Sequence, residues 1–282
     1  MIILTDYIRL MRPKHYMKNL LVFAAPLCGG MLTDMTVTLR TCIGFAAFCF
    51  MSSAVYTIND IIDADRDRFH PTKKNRPVAS GRVGPVAAIG VCGVCFAVSA
   101  FFAAMAAVPV SFCILAAYMI INVLYAIWLK HVPLMDITSL ASGFMLRIAY
   151  GGVVSGVSIS DWLYLTAGAM SCWLAFGKRR GELRRYGSFG TRPVLEAYSD
   201  PFLSKATQSC LTAGLVFYAV WSIEAGMLLT VPVIFLIAMR YSMIAEGDVD
   251  GDPVETLLGD RVLLAMCAVY GVMMLALLYL TP

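Results

Sequence analysis

Pro85-VAAIGVCGVCFAVSAFFAA-Met105 runs through residues 85–105 without a single charged side chain. At ~1.5 Å of rise per residue, a helix of that length climbs roughly 30 Å, the thickness of a bilayer's hydrocarbon core. Apolar residues follow one another here rather than alternating, which does not suit a lipid-facing barrel strand. In lipid the backbone must satisfy its own hydrogen bonds, and the helix is what remains. Cys92 and Cys95 form a C-x-x-C inside this run. Set among Gly, Val and Phe, they read as small apolar helix residues rather than as a redox or zinc pair.

Working outward, similar runs recur along the chain. Nine spans are expected, at about 19–33, 39–58, 85–105, 109–129, 137–155, 161–177, 206–222, 226–243 and 262–280. The 282 residues are 60% hydrophobic and 14% charged, where a soluble domain carries about a quarter charged. The expectation is one all-α domain over residues 1–282, a polytopic membrane bundle of about nine transmembrane helices with lipid as its surroundings. A homo-oligomer is compatible with this, and no nucleic-acid partner is expected. Cys42, Cys49, Cys113, Cys172 and Cys267 also lie within apolar runs, which argues against a disulfide framework. His15, His70 and His131 are too scattered to form a metal cluster. The first 18 residues are too polar for the apolar core of a cleavable signal peptide.

The gaps between spans alternate in length. Long polar ones cover 59–84, 178–205 and 244–261; short ones fall near 34–38, 106–108, 156–160 and 223–225. Every Lys and Arg except Arg40 and Arg147 falls in the N-terminal segment, at Lys130 between the fourth and fifth spans, in the long gaps or at their edges. The positive-inside rule therefore predicts a cytoplasmic N-terminus and cytoplasmic long loops, in a cell membrane, with the C-terminus outside. Attraction to lipid headgroups explains a basic excess. It does not explain ordered carboxylates among the bases.

Those carboxylates open the first long gap: Asn59-Asp60-Ile61-Ile62-Asp63-Ala64-Asp65-Arg66-Asp67. On a helix continuing the second span, Asn59, Asp63 and Asp67 are spaced i, i+4, i+8. They drift only about 80° around the axis and share a face. Like charges so placed oppose each other unless a cation offsets them. Magnesium, which takes a few carboxylates plus water and phosphate oxygens, suits the set. The bases that follow, in Arg68-Phe69-His70-Pro71-Thr72-Lys73-Lys74-Asn75-Arg76-Pro77, fit a phosphate-bearing ligand, with Lys73 and Arg76 as candidate contacts.

The N-D-x-x-D-x-x-x-D pattern and the H-P-T-K-K-N-R-P-V-A-S-G that follows it resemble the UbiA superfamily of intramembrane prenyltransferases. The nine-span plan is that family's too. The resemblance implies a magnesium-bound diphosphate at Asn59, Asp63 and Asp67, the residues that would carry catalysis. Ordinary members hold the diphosphate through magnesium on two aspartate-rich motifs. In this chain the second equivalent reads Phe176-Gly177-Lys178-Arg179-Arg180-Gly181-Glu182-Leu183-Arg184-Arg185-Tyr186, with bases where the second aspartate pair would stand. A cationic clamp on a further phosphate is expected there, formed by Lys178, Arg179 and Glu182. Arg12-Pro13-Lys14-His15-Tyr16-Met17-Lys18-Asn19 and the stretch from Tyr125 through Lys130 to Asp136 also resemble one branch, the polyprenyl-phosphate phosphoribosyltransferases.

That branch implies phosphoribosyl diphosphate as donor, a polyprenyl phosphate as acceptor and Mg2+ as cofactor. An acceptor that is already anionic requires no general base. Lys14 and Lys18, at the mouth of the first span, are candidates for the acceptor phosphate. Tyr125, Lys130, Asp136 and Arg147 join the candidate substrate contacts, since an ionisable residue inside a span is functional by default. A structural ion pair between Arg147 and Asp136 is the alternative for those two. The acids from Glu246 to Asp260 lack the offsets of a calcium loop and read as a solvated loop or lid. Two other readings of the whole chain stand beside this one: a conventional prenyltransferase with an aromatic acceptor, and a transporter. Clustering of the charges on one membrane face favours an interfacial enzyme over the transporter.

Overall fold

The computed structural model describes residues 2–69, 73–187, 193–246 and 253–280, and among these there is helix and turn but no strand. Among the described residues, seven helices are long and apolar enough to cross a membrane. They are α3 (Met35–Ile62), α5 (Pro85–Met105), α6 (Pro109–Ile127), α7 (Met135–Ser155), α9 (Asp200–Glu224), Leu228–Ala245, most of which is α10 (Val231–Ala245), and α12 (Arg261–Tyr279). The short helices are α1 (Ile2–Met11), α2 (Ala24–Cys28), α4 (Ala64–Asp67) and α11 (Pro253–Gly259), and α8 (Asp161–Tyr186) completes the set.

Two of the nine expected spans take another form. Residues 19–33 do not make one helix. A 3₁₀ segment, Pro13–Phe23, passes into the single short turn of α2, which ends at Gly29 and Gly30. Pro26 has no N–H to give the Val22 carbonyl four residues back, so a continuous α-helix is interrupted there. The expected span 161–177 is the first part of α8, which continues as a charged helix to Tyr186 instead of ending in a loop.

Local chemistry sets most helix starts. The Asp34 carboxylate accepts from the backbone N–H of Thr36 and Val37 and caps α3. Ser199 caps α9 through Phe202 N, and Asp260 caps α12 through Leu263 N. Pro85 and Pro109 begin α5 and α6, where a missing N–H costs nothing.

The chain divides into two compact units. One comprises Met1–Lys130 and Leu146–Ser158, the other His131–Met145 and Ile159–Pro282, so α7 begins in the second and finishes in the first. In the first unit α3 is the hub. Phe48 packs between the rings of Tyr118 and Tyr150, at centroid distances of 4.7 and 5.3 Å. Val22, Ala47, Met51, Val55, Leu115 and Val154 complete that core. The backbones of α7 and the 3₁₀ segment meet so closely at Gly151 that a Cβ there would lie 1.9 Å from the Val22 carbonyl oxygen. In the second unit α8 pairs with α9 over Trp173, Leu211 and Ala238 of α10. On another face of α8, Ala175 packs with Ile137, Val194, Leu195, Tyr198 and Leu203.

Candidate active site

In the first unit the aspartate run lies where α3 hands over to α4. The helix breaks at Asp63, yet Asp63 N still bonds Asn59 O (2.9 Å) and Asp67 N bonds Asp63 O (2.8 Å). The i, i+4, i+8 phase expected of Asn59, Asp63 and Asp67 thus carries across the break. Each acid meets a base. Asp63 takes Lys130 Nζ at 2.6 Å. Asp67 takes Arg76 Nη1 at 2.6 Å, and the same nitrogen lies 3.2 Å from Asp60 Oδ1. Arg12 also pairs with Asp60 Oδ1. Asp65 points away, highly exposed, and pairs with Arg68 one turn on.

The loop carrying Arg76 is tied down. Arg82 donates to Asn75 O (2.6 Å) and to the buried Asp6 of α1 (3.0 Å). Arg12 adopts a left-handed backbone conformation, φ 53°, between α1 and the 3₁₀ segment. It is held there by Asp60 and by the Tyr56 ring, 5.3 Å from its guanidinium carbon. Lys73 opens the 3₁₀ turn Lys73–Asn75, Lys14 is exposed, and Lys18 and Tyr125 are half-buried. His70 lies outside the described residues.

Within the aspartate run two buried acceptors, Asn59 Oδ1 and Asp60 Oδ2, lack hydrogen-bond partners among the described residues. An unmet buried acceptor costs about 1–3 kcal/mol. A hard cation would satisfy such oxygens; of the expected ligands Asn59 offers an unmet oxygen, and Asp63 and Asp67 are carboxylates of the kind magnesium takes. Among the described residues no three His, Cys, Asp or Glu side chains already converge as a metal cluster. Lys130 and Arg76 stand where a cation would otherwise balance Asp63 and Asp67.

Deeper in the same unit, Arg147 is buried. It donates to Asn19 Oδ1 (2.8 Å) and to the Tyr118 hydroxyl (3.0 Å), and lies against the Phe48 and Tyr118 rings. The alternative of an Arg147–Asp136 ion pair is not realised. Eleven residues along α7 separate the two by roughly 16 Å of helix rise.

Asp136 has other partners in the second unit. The Arg179 guanidinium bonds its Oδ2, and the Tyr198 hydroxyl donates to its Oδ1 at 2.6 Å. Arg179 is fully buried and also takes Glu182 at 2.8 Å. Burial first, and then the bond to Asp136, push the Tyr198 hydroxyl above the ordinary tyrosine range, so it stays protonated as the donor. Arg180, one residue on, points elsewhere. It bonds Asp200 and Glu246, each at 3.0 Å, and Arg184 joins Asp200 at 2.8 Å. At 100° per residue the basic run divides between two faces of α8. Arg179 and Glu182 face the Asp136 cluster. Arg180 and Arg184 face a cavity among α8, α9 and α10, and Lys178 also lines it.

Several members of these networks were not among the expected site residues: Asp6, Arg12, Asn19, Asp60, Arg82, Tyr198 and Asp200. Arg12 and Asn19 stood within the R-P-K motif, and Asp60 stood in the aspartate run. Tyr198 and Asp200 lie in a stretch without a motif. Of the acids between Glu246 and Asp260, residues 247–252 and the Glu255 side chain lie outside what is described. Asp260 caps α12 and takes Arg240 at 2.7 Å.

Solved structures share this architecture. A UbiA homolog from Archaeoglobus fulgidus bound to GPP and Mg2+ superposes with a TM-score of 0.72 at 20% identity, over 97% of this chain and 99% of that one. The same homolog bound to DMAPP and Mg2+ gives 0.74 over the same shares at 20% identity. A digeranylgeranylglyceryl phosphate synthase gives 0.68 at 15% identity, over 99% of this chain and 98% of that one. This chain shares their fold. The family model for UbiA prenyltransferases matches residues 21–250, and the chain belongs to that family. Among curated relatives, the decaprenyl-phosphate phosphoribosyltransferase of Corynebacterium glutamicum is 33% identical, over 98% of this chain and 87% of its own. Its counterpart in Mycolicibacterium smegmatis is 32% identical, over 93% of this chain and 88% of its own.

Proposed function

We propose that this integral membrane transferase moves the 5-phosphoribosyl group of phosphoribosyl diphosphate onto a polyprenyl phosphate, releasing diphosphate, with Mg2+ as cofactor. The observation that carries the reading is its near full-length similarity to phosphoribosyltransferases that act, by name, on decaprenyl phosphate. The basic α8 run supports it, because a donor with a 5-phosphate calls for cations where a prenyl diphosphate needs none. The one-sided charge supports a cytoplasmic N-terminus and cytoplasmic loops 59–84, 178–205 and 244–261, in a cell membrane with the C-terminus outside.

In this reaction the C1–O bond to diphosphate breaks and the diphosphate leaves with the electron pair. A polyprenyl phosphate oxygen forms the new bond to C1 from the opposite side, so the anomeric configuration inverts. C1 passes through a state with oxocarbenium character. Asn59, Asp63 and Asp67 are the residues that would hold magnesium, which supplies charge neutralisation for the departing diphosphate. Lys130, Lys73 and Arg76 bind diphosphate oxygens; Lys130 and Arg76 release their carboxylates to do so. Lys14 and Lys18 hold the acceptor phosphate. Tyr125 lines the substrate. Lys178 meets a substrate phosphate, and Arg179, Glu182 and Asp136 keep that end of α8 in register. Arg147 fixes the 3₁₀ segment bearing Lys14 and Lys18 through its bond to Asn19.

The test is to incubate membranes containing the protein with radiolabelled phosphoribosyl diphosphate and polyprenyl phosphate, with and without Mg2+. Label reaching the lipid fraction only with Mg2+ is expected, and Asp63→Ala should abolish it. No transfer, alongside activity on a prenyl diphosphate and an aromatic acid, would overturn the reading in favour of conventional prenyl transfer.

A further inference from the structure

Of the side chains around the cavity among the polar ends of α8, α9 and α10, only Lys178 enters the chemistry above. The cavity holds about 320 Å³, at the small end for a ligand site and suited to a headgroup rather than a whole lipid. Its floor is apolar, with Trp173, Leu211 and Met239. Thr207, Gln208 and Ser242 supply polar walls, and Lys178, Arg180 and Arg184 the basic lip. Two glycines on the same face of α8, Gly177 and Gly181, also line it, and a Cβ built at either meets nothing within 4 Å. The space therefore exists in part because these two positions carry no side chain.

Two of the bases at the lip, Arg180 and Arg184, pair with two carboxylates, Asp200 and Glu246. Arg184 and both carboxylates are well exposed, at 44%, 39% and 63%. The Arg184–Asp200 pair is exposed at both ends, and pairs of this kind contribute little, so an incoming anion can exchange with Asp200 cheaply. Arg offers a planar fork matched to phosphate oxygens. Basic pockets between membrane helices suit anionic headgroups, and here the apolar floor adds a place for the glycerol or first methylenes.

We propose that this cavity, in the second unit, binds an anionic phosphate carried on a lipid. Arg180 and Arg184 take the phosphate, and the Trp173 floor takes the adjoining apolar part. The test uses purified full-length protein in detergent. It is titrated with dihexanoyl phosphatidylglycerol, with dihexanoyl phosphatidylcholine and with inorganic phosphate, while tryptophan fluorescence is followed. Phosphatidylglycerol should give a saturable change that disappears in Trp173→Phe.

Gly181→Leu should weaken binding at least tenfold while the unfolding temperature stays at or above that of the wild type, because leucine favours the helix and touches no ion pair. Arg180→Gln/Arg184→Gln should weaken it by a similar factor. A polyprenyl phosphate that displaces phosphatidylglycerol would support the same site, since it too carries a phosphate on a lipid. Equal binding of phosphatidylcholine or of inorganic phosphate would overturn the proposal, as would unchanged affinity in a folded Gly181→Leu protein. These readouts need no turnover, so they stand or fall apart from the phosphoribosyl reading.

Discussion

Gly151→Ala is a one-carbon change whose cost follows from the contact it disturbs. A Cβ at Gly151 would lie 1.9 Å from the Val22 carbonyl oxygen, 2.7 Å from its carbonyl carbon and 3.0 Å from its Cα. All three neighbours are backbone, so no side chain can rotate out of the way. The 3₁₀ segment must shift by more than 1 Å, against a gain from helix propensity of about 1 kcal/mol for replacing glycine. Overpacking of this kind costs about 1–3 kcal/mol even where side chains can give, and the upper end applies to backbone. The net expectation is a loss of about 2 kcal/mol or more. Thermal unfolding of the detergent-purified protein, followed by circular dichroism, measures it as a fall of several degrees. Gly90→Ala on α5, where a Cβ meets nothing within 4 Å, is the control and should be neutral or stabilising. Transfer activity should fall further than stability in Gly151→Ala, because Lys18 and Asn19 lie on the segment that moves. A Gly151→Ala protein as stable as Gly90→Ala would refute the close approach of the two backbones.

Three further outcomes are expected. Asn19→Leu leaves the buried Arg147 guanidinium short of an acceptor and should cost about 3 kcal/mol. Adding Arg147→Met should restore much of that in a double-mutant cycle measured by unfolding. Tyr198→Phe removes the hydroxyl that donates to Asp136 and accepts from Leu134 N, at a cost of about 1–3 kcal/mol in the same assay. For Asp260, the Arg240 guanidinium and then the Leu263 N–H hold its carboxyl below the usual carboxylate range. A folded pKa below the unfolded one gives stability that is present above the unfolded value and lost as pH falls through the folded one. Asp260→Ala should therefore unfold earlier than wild type at pH 7, the two converging in acid.

The aspartate run could be read from the chain because its partners are local: a period of 3.6 residues places Asn59, Asp63 and Asp67 on one face whatever surrounds them. The bases that balance those acids could not be assigned in this way. Arg12 meets Asp60 across 48 residues and Lys130 meets Asp63 across 67, and no period links them. The α8 run shows the same limit at shorter range. Arg179 and Arg180 are equal in composition, but 100° of rotation sends one into a buried ion cluster and the other to a cavity lip. Hydropathy located seven spans because lipid imposes their length. It misread residues 19–33, where enough apolar residues are present but Pro26 and the two glycines break the helix.

The division of α7 between the units bears on how the protein is made. Synthesis and insertion proceed from the N-terminus. When Lys130 has been added, α3, α5 and α6 are complete, yet Phe48 and Leu115 still lack Tyr150 and Val154, which belong to the same core. The first unit cannot close until α7 has been translated through to its end. A nascent chain halted before residue 146 therefore leaves that core open between its inserted helices. The ribosome must deliver the Asp136 end of α7 before the Arg147 end, so the turn that starts the second unit is laid down before the first has sealed.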